Sequence, residues 1–110
     1  MHAQEFSESI AVALDTSLQI LTHAGHERPA RFLKTVEAEP DYYRMESVKL
    51  RFWFGEDPND FAEIVVTMRQ LSDNRWIPSN AFLWQKARKP RSTGFRFVDG
   101  VIDQETYRYY

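Results

Sequence analysis

The sequence predicts an α+β domain in which an N-terminal helical hairpin packs on a curved antiparallel sheet of about four or five strands. Three observations carry this. Apolar residues recur at three- and four-residue spacing up to Pro40, they alternate with polar residues beyond it, and an Asp-Gly pair near the C-terminus separates two runs rich in β-forming residues. Helices that come first and strands that follow as hairpins favour a helical layer on an antiparallel sheet over alternating α/β units.

The first helix is predicted over about residues 6–24. Phe6, Ile10, Ala13, Leu14, Ser17, Leu18 and Leu21 form one apolar stripe, with Ser7 as N-cap and Gly25 as the residue just past the end. A second helix is predicted over about 28–39: Pro29 suits a first turn, Ala30, Leu33 and Val36 or Glu37 mark the stripe, and Pro40 ends it.

Strands are predicted over about 47–54, 62–70, 80–87, 94–98 and 101–109. Val48, Leu50, Phe52 and Phe54 alternate with Lys49, Arg51 and Trp53, and Ile64, Val66 and Met68 alternate with Glu63, Val65, Thr67 and Arg69. The turn residues of "GEDPND" between them make a hairpin, whose apolar face is preserved if Phe52 opposes Ile64 and Leu50 opposes Val66. The segment "NRWIPSN" is expected to be loop because Pro78 and Asn80 are poor in strands. In "GFRFVDGVIDQ" the Asp99-Gly100 pair suits a two-residue type I′ turn, which sets Val98 against Val101 and Phe97 against Ile102 and brings Arg96 to Asp103. No repeat, low-complexity segment or linker divides the chain, so residues 1–110 are expected to form one domain.

The C-terminal hairpin "FRFVDGVI", following helices and a strand meander, resembles the corresponding part of the cystatin-like and NTF2-like folds. The resemblance covers the last third of the chain and implies only a helix lying across an antiparallel sheet; it brings no catalytic residues with it.

Composition narrows the chemistry. There are no cysteines, which removes disulfide frameworks, thiolate metal sites and cysteine nucleophiles, and fits a reducing compartment. No stretch approaches the roughly 18 apolar residues of a membrane span, and the N-terminus lacks a signal-peptide pattern, so a cytoplasmic location is expected. The four glycines stand apart, excluding a Gly-rich phosphate loop, and no serine has a nucleophile-elbow context. His23, His26 and Glu27 form the one close imidazole–carboxylate cluster, but Gly25 between the histidines predicts a helix end rather than a metal pair. Glu56, Asp57 and Asp60 fail the EF-hand pattern and read as a solvated turn.

The charge distribution is uneven. Although the net charge is −2, residues 74–98 carry six cations and no acid, whereas residues 55–73 carry five acids against Arg69. Within "WQKARKPRSTGFRF" the cations Lys86, Arg88, Lys89 and Arg91 cluster around Pro90, beside Trp84 and downstream of Trp76. These six residues are the expected partner-binding set. The expected function is a small non-enzymatic protein-binding module, comparable to the immunity, antitoxin and inhibitor accessory proteins of bacteria and phages, that uses a basic-aromatic surface around residues 84–96. Its expected partner is a protein with an acidic surface. Two other readings stay open: nucleic acid held by phosphate contacts and stacking, and a small-molecule or enzymatic pocket between helices and sheet. No cofactor, metal or membrane is expected, and an edge strand offers a route to a homodimer.

Overall fold

The computed structural model describes residues 8–38, 45–85 and 91–109. Among these the chain forms one helix, α1 (Glu8–His23), and six strands, β1 (Arg31–Ala38), β2 (Met45–Trp53), β3 (Phe61–Gln70), β4 (Trp76–Gln85), β5 (Arg91–Val98) and β6 (Val101–Tyr109). The strands pair antiparallel in sequence order, which leaves β1 and β6 at the edges. The helix lies on one face of the sheet against β2, β3 and β4. The fold is therefore α+β with an antiparallel sheet, but with a single helix and six strands in place of a helical pair and four or five.

Helix α1 approaches the sheet through small residues. Ser9, Ala13 and Ser17 recur every four positions and are all but inaccessible, while Ile10, Ile20 and Leu21 flank them and fill the space on either side. Leu14 and Leu18 of the predicted stripe are only partly buried, and Ile20 takes their place in the core. The stripe is rotated because a short side chain lets the helix axis sit closer to the strands than leucine would. The hydroxyl of Ser17 is buried with no hydrogen-bond partner among the described residues. Removing it is expected to raise stability: Ser17→Ala should gain about 1 kcal/mol in urea unfolding, since an unsatisfied buried hydroxyl costs about 1–3 kcal/mol. The predicted cap Ser7 and the apolar Phe6 lie outside the described residues.

The predicted second helix, 28–39, is corrected: most of it is strand β1. The segment "RFLKTVEA" carries both periods, because its apolar letters at 33 and 36 fit a helical spacing while those at 32 and 36 fit the two-residue spacing of a strand. The tie is broken by β2, whose outer edge needs partners for its N–H and C=O groups. β1 supplies them, with Arg31 opposite Trp53, Phe32 opposite Phe52 and Val36 opposite Val48. The ladder begins just before β1, where the Ala30 N–H donates to the Trp53 carbonyl at 2.8 Å.

In the β2–β3 hairpin the faces are as the alternation predicts and the register is displaced by two residues. Leu50 opposes Ile64, Val48 opposes Val66 and Phe52 opposes Ala62. A two-residue slip leaves every side chain on its own face, so the hydrophobic pattern cannot distinguish the two registers. Cross-strand pairing does: the observed one sets Arg51 directly across from Glu63 and Trp53 across from Phe61. Val48, Leu50, Phe52, Ile64, Val66 and Met68 are completely buried under α1.

The "NRWIPSN" segment is also corrected. The β3–β4 turn closes at residues 71–75, where Asn74 has a left-handed backbone (φ 71°) and its N–H donates to the Leu71 carbonyl at 2.9 Å. Asp73 accepts from Arg75 Nε at 2.7 Å, which holds its carboxyl below the usual range. β4 then runs from Trp76, earlier than residue 80. Pro78 is tolerated because β4 pairs with β5 only from Asn80 onward and because its register on β3 shifts at Met68. β5 likewise begins at Arg91 rather than 94. The last hairpin turns at Asp99-Gly100, both with positive φ (52° and 78°), and Val98 opposes Val101. Arg96 reaches Asp103 at 3.7 Å across a register shift.

Candidate functional site

Of the six residues expected to form one surface, the structure separates the two tryptophans. Trp76 packs against the core under α1, whereas Trp84, whose strand neighbour Leu83 is buried in that core, belongs to the opposite face. Lys86, Arg88 and Lys89 lie outside the described residues, and Arg91 opens β5 opposite Tyr109. The ring that lies against Trp84 comes not from the neighbouring sequence but from another strand, Phe61 of β3 at 5.8 Å.

On the face away from α1, three aromatics and two guanidiniums meet. The Arg31 guanidinium sits 4.1 Å from the Trp53 ring centre, and that of Arg51 sits 4.1 Å from the Phe61 ring and 5.9 Å from Trp53. Phe61 in turn lies 6.4 Å from Trp53 and 5.8 Å from Trp84. Trp53 is anchored by its indole N–H, which donates to the Pro58 carbonyl at 3.1 Å. Arg51 is fixed from the other side by Glu63, to which it donates through Nε at 2.8 Å and Nη2 at 2.6 Å. Beside them the ring of Phe82 lies against Gly94, where a Cβ would come within 3.1 Å of it. A side chain at residue 94 would push that ring aside by a few tenths of an ångström; Phe82 is 45% exposed there, and on β1, at the far side of the same face, Leu33 is 59% exposed.

Charge follows the same face. Strand alternation places Arg31, Lys49, Arg51, Arg69 and Arg96 on it; Glu63 pairs with Arg51 and Asp103 with Arg96. A shallow depression of about 240 Å³ lies between Leu33, Lys49, Arg51 and Glu63. The Lys49–Arg51–Trp53 alternation was the sequence signal for this surface; Arg31 gave none, because only pairing of β1 with β2 brings it to Trp53.

The histidines have a different setting. Helix α1 ends in a Schellman turn: the His26 N–H donates to the Leu21 carbonyl at 2.9 Å, the Gly25 N–H to the Thr22 carbonyl at 3.0 Å, and Gly25 takes φ 86°. The turn directs both rings toward the helix side of the sheet. His23 Nε2 lies 3.1 Å from Glu105 Oε2, and its ring meets Phe95 edge-on at 5.9 Å. The Tyr107 hydroxyl donates to Glu105 Oε1 at 2.6 Å. His26 stacks on Phe54 at 4.7 Å and, since the Gln85 NH₂ 2.6 Å away can only donate, accepts through Nε2. Between the end of α1 and strands β4 to β6 lies a cavity of about 320 Å³ lined by His23, Leu83, Gln85, Thr93, Phe95, Glu105 and Tyr107, with Ala24 at its rim. It lies beyond the filled space between α1 and the β2–β3 hairpin. Glu105 and Tyr107 were not singled out from sequence, since each is one of many alternating polar and aromatic residues near the C-terminus.

The acids of "GEDPND" close their own turn. Asp57 Oδ1 accepts the Asn59 N–H at 2.9 Å and the Asp57 carbonyl accepts the Asp60 N–H at 3.1 Å. No group of three metal-ligating side chains converges among the described residues, and no helix of the structure is long and apolar enough to cross a membrane. Comparison with family models, with curated proteins and with solved structures finds no match for this chain.

Proposed function

We propose that this protein is a protein-binding module whose working surface is the sheet face opposite α1, centred on Arg51, Phe61 and Trp84. The observation that carries the reading is the aromatic–guanidinium cluster, in which Arg31 and Arg51 lie over Trp53 and Phe61. Aromatics and arginine dominate the energetic centres of protein interfaces, the aromatics because they bring large area with few rotors to freeze and arginine because its planar fork both stacks and donates several hydrogen bonds. The surrounding Lys49, Arg69 and Arg96 favour an acidic partner, and the exposed Leu33 and Phe82 favour one with apolar side chains at the middle of its patch.

A nucleic-acid ligand fits this face less well. Stacking needs open ring faces, whereas the guanidiniums lie over Trp53 and Phe61, and the Glu63 carboxylate stands among the cations where phosphate would approach. The deciding experiment is affinity capture from the native cell with the tagged full chain, alongside titration with generic single-stranded and duplex nucleic acid at low salt. An acidic protein retained by the wild type and lost by Trp84→Ala, with no nucleic-acid binding, is the expected outcome. Nucleic-acid binding that weakens steeply with salt contradicts the reading.

A further inference from the structure

We propose that Asp99 and Gly100, at the tip of the β5–β6 hairpin, form a self-modification site: the Gly100 nitrogen captures the Asp99 side-chain carboxyl, and the isoaspartyl linkage that results unpins strand β6. The inference does not depend on the protein-binding reading.

The tip supplies what the reaction needs. Asp99-Gly100 is the one Asp-Gly pair in the chain, and no Asn-Gly pair occurs. Glycine matters because the attacking nitrogen must approach the carboxyl carbon closely, and a side chain on the following residue crowds that approach. Among the described residues nothing lies within 4 Å of the place a Cβ would take on Gly100, so the surroundings leave the approach open as well. Asp99 is exposed, and the flanking Val98 and Val101 are 50% and 65% exposed. Other turn aspartates lack these features. Asp73 precedes Asn74 and has both carboxylate oxygens engaged by Arg75, at 2.7 Å from Nε and 3.2 Å from the backbone N–H. Asp57 precedes Pro58, whose nitrogen carries no proton to give up.

The chemistry needs no co-reactant. As the bond between the Gly100 nitrogen and Asp99 Cγ forms, the N–H proton and the carboxyl hydroxyl leave together as water, and a five-membered succinimide closes. Water then reopens the ring. Addition at the Cγ carbonyl restores aspartate; addition at the main-chain carbonyl breaks the original peptide bond and leaves the chain running through Cβ and Cγ. The mass is unchanged, since the water lost is regained.

The ladder translates that change into structure. Val98 and Val101 pair across a two-residue turn in which Asp99 and Gly100 take φ 52° and 78°. One added main-chain carbon breaks the fit of such a turn to the flanking strands, and with it the register that sets Phe97 opposite Ile102. β6 is an edge strand whose strand neighbour is β5, so it is released while β2 and β3 stay buried under α1. The ring cannot close on the left-handed backbone that Asp99 holds in the turn, so the reaction waits on local opening of the tip, a motion that exposed hairpin ends make at low cost.

The test ages the full chain at neutral pH and physiological temperature, locates isoaspartate by peptide mapping with electron-transfer fragmentation, and reads hydrogen exchange on the chromatographically separated modified fraction. Isoaspartate is expected at residue 99 at least about tenfold faster than at Asp73 or Asp103. The modified chain should lose protection at residues 102–106 and keep it at residues 48–52. Asp99→Glu, which would have to close a six-membered ring, should lose the signal. Asp99→Asn keeps a residue that the turn favours and reaches the same ring by releasing ammonia, so it should convert faster to the same product. The proposal is overturned if residue 99 converts no faster than Asp73, if Asp99→Asn fails to convert, or if β6 keeps its protection in the modified chain. Should the Glu variant prove unstable, the wild type and the Asn variant still decide.

Discussion

Phe52→Ala is expected to lower the free energy of unfolding by about 3–5 kcal/mol, the range for truncating a buried aromatic. Phe52 is fully inaccessible, stands at the middle of the face covered by α1, and is met from β1 by the ring of Phe32 at 6.0 Å. The cavity left behind has rigid strand backbone on one side, with Ala62 across the ladder too small to fill it. In urea the midpoint should fall with little change in slope. Phe82→Ala is the matched control: the same chemical change on the open face, at a residue 45% exposed, is expected to cost about 1 kcal/mol or less. Equal losses for the two would place α1 on the wrong side of the sheet.

The second large effect concerns binding. Arg51→Met keeps an unbranched stem over Phe61 but deletes the guanidinium that joins Glu63, Phe61 and Trp53 into one unit. If this face holds the partner, affinity should fall by about 2 kcal/mol, or roughly thirtyfold, as for a central interface residue. Stability should change much less. The Arg51 side chain is 38% exposed, and ion pairs that reach solvent are worth about 0–1 kcal/mol. The separation of the two readouts is the point of the variant, since a merely structural arginine would move stability and affinity together.

These two residues also show how much was legible beforehand. Phe52 announces its burial through strict alternation with Lys49, Arg51 and Trp53, and the same rule located the covered face of β3. The helix end at Gly25 and the turn at Asp99-Gly100 were legible because each needs positive φ, a backbone demand that few residues meet. Strand β1 was not legible, since Leu33, Phe32 and Val36 satisfy both periods and the choice is made by the open edge of β2, some twenty residues away. The register of β2 on β3 was hidden for a related reason: alternation is blind to a two-residue slip.

The site suffered most from this blindness. Contiguous cations at 86–91 are conspicuous in a string of letters, whereas Arg31, Arg51, Phe61 and Trp84 become neighbours only through three successive strand pairings. Trp76 and Trp84 looked equivalent in sequence, yet the register shift near Pro78 and the alternation of β4 send them to opposite faces. Glu105 and Tyr107 acquire meaning only where β6 passes the end of α1.

On the proposed reading the sheet face, rather than the basic segment after Trp84, bears the partner. The most direct test of that reading is the affinity of the captured partner for three versions of the chain: wild type, Arg51→Met, and a triple variant with Lys86, Arg88 and Lys89 changed to Ser. The account predicts a loss of roughly thirtyfold for Arg51→Met, and for the triple variant a slower association with a weaker salt dependence but little change in dissociation. Loss of binding in the triple variant, with Arg51→Met indistinguishable from wild type, would contradict it.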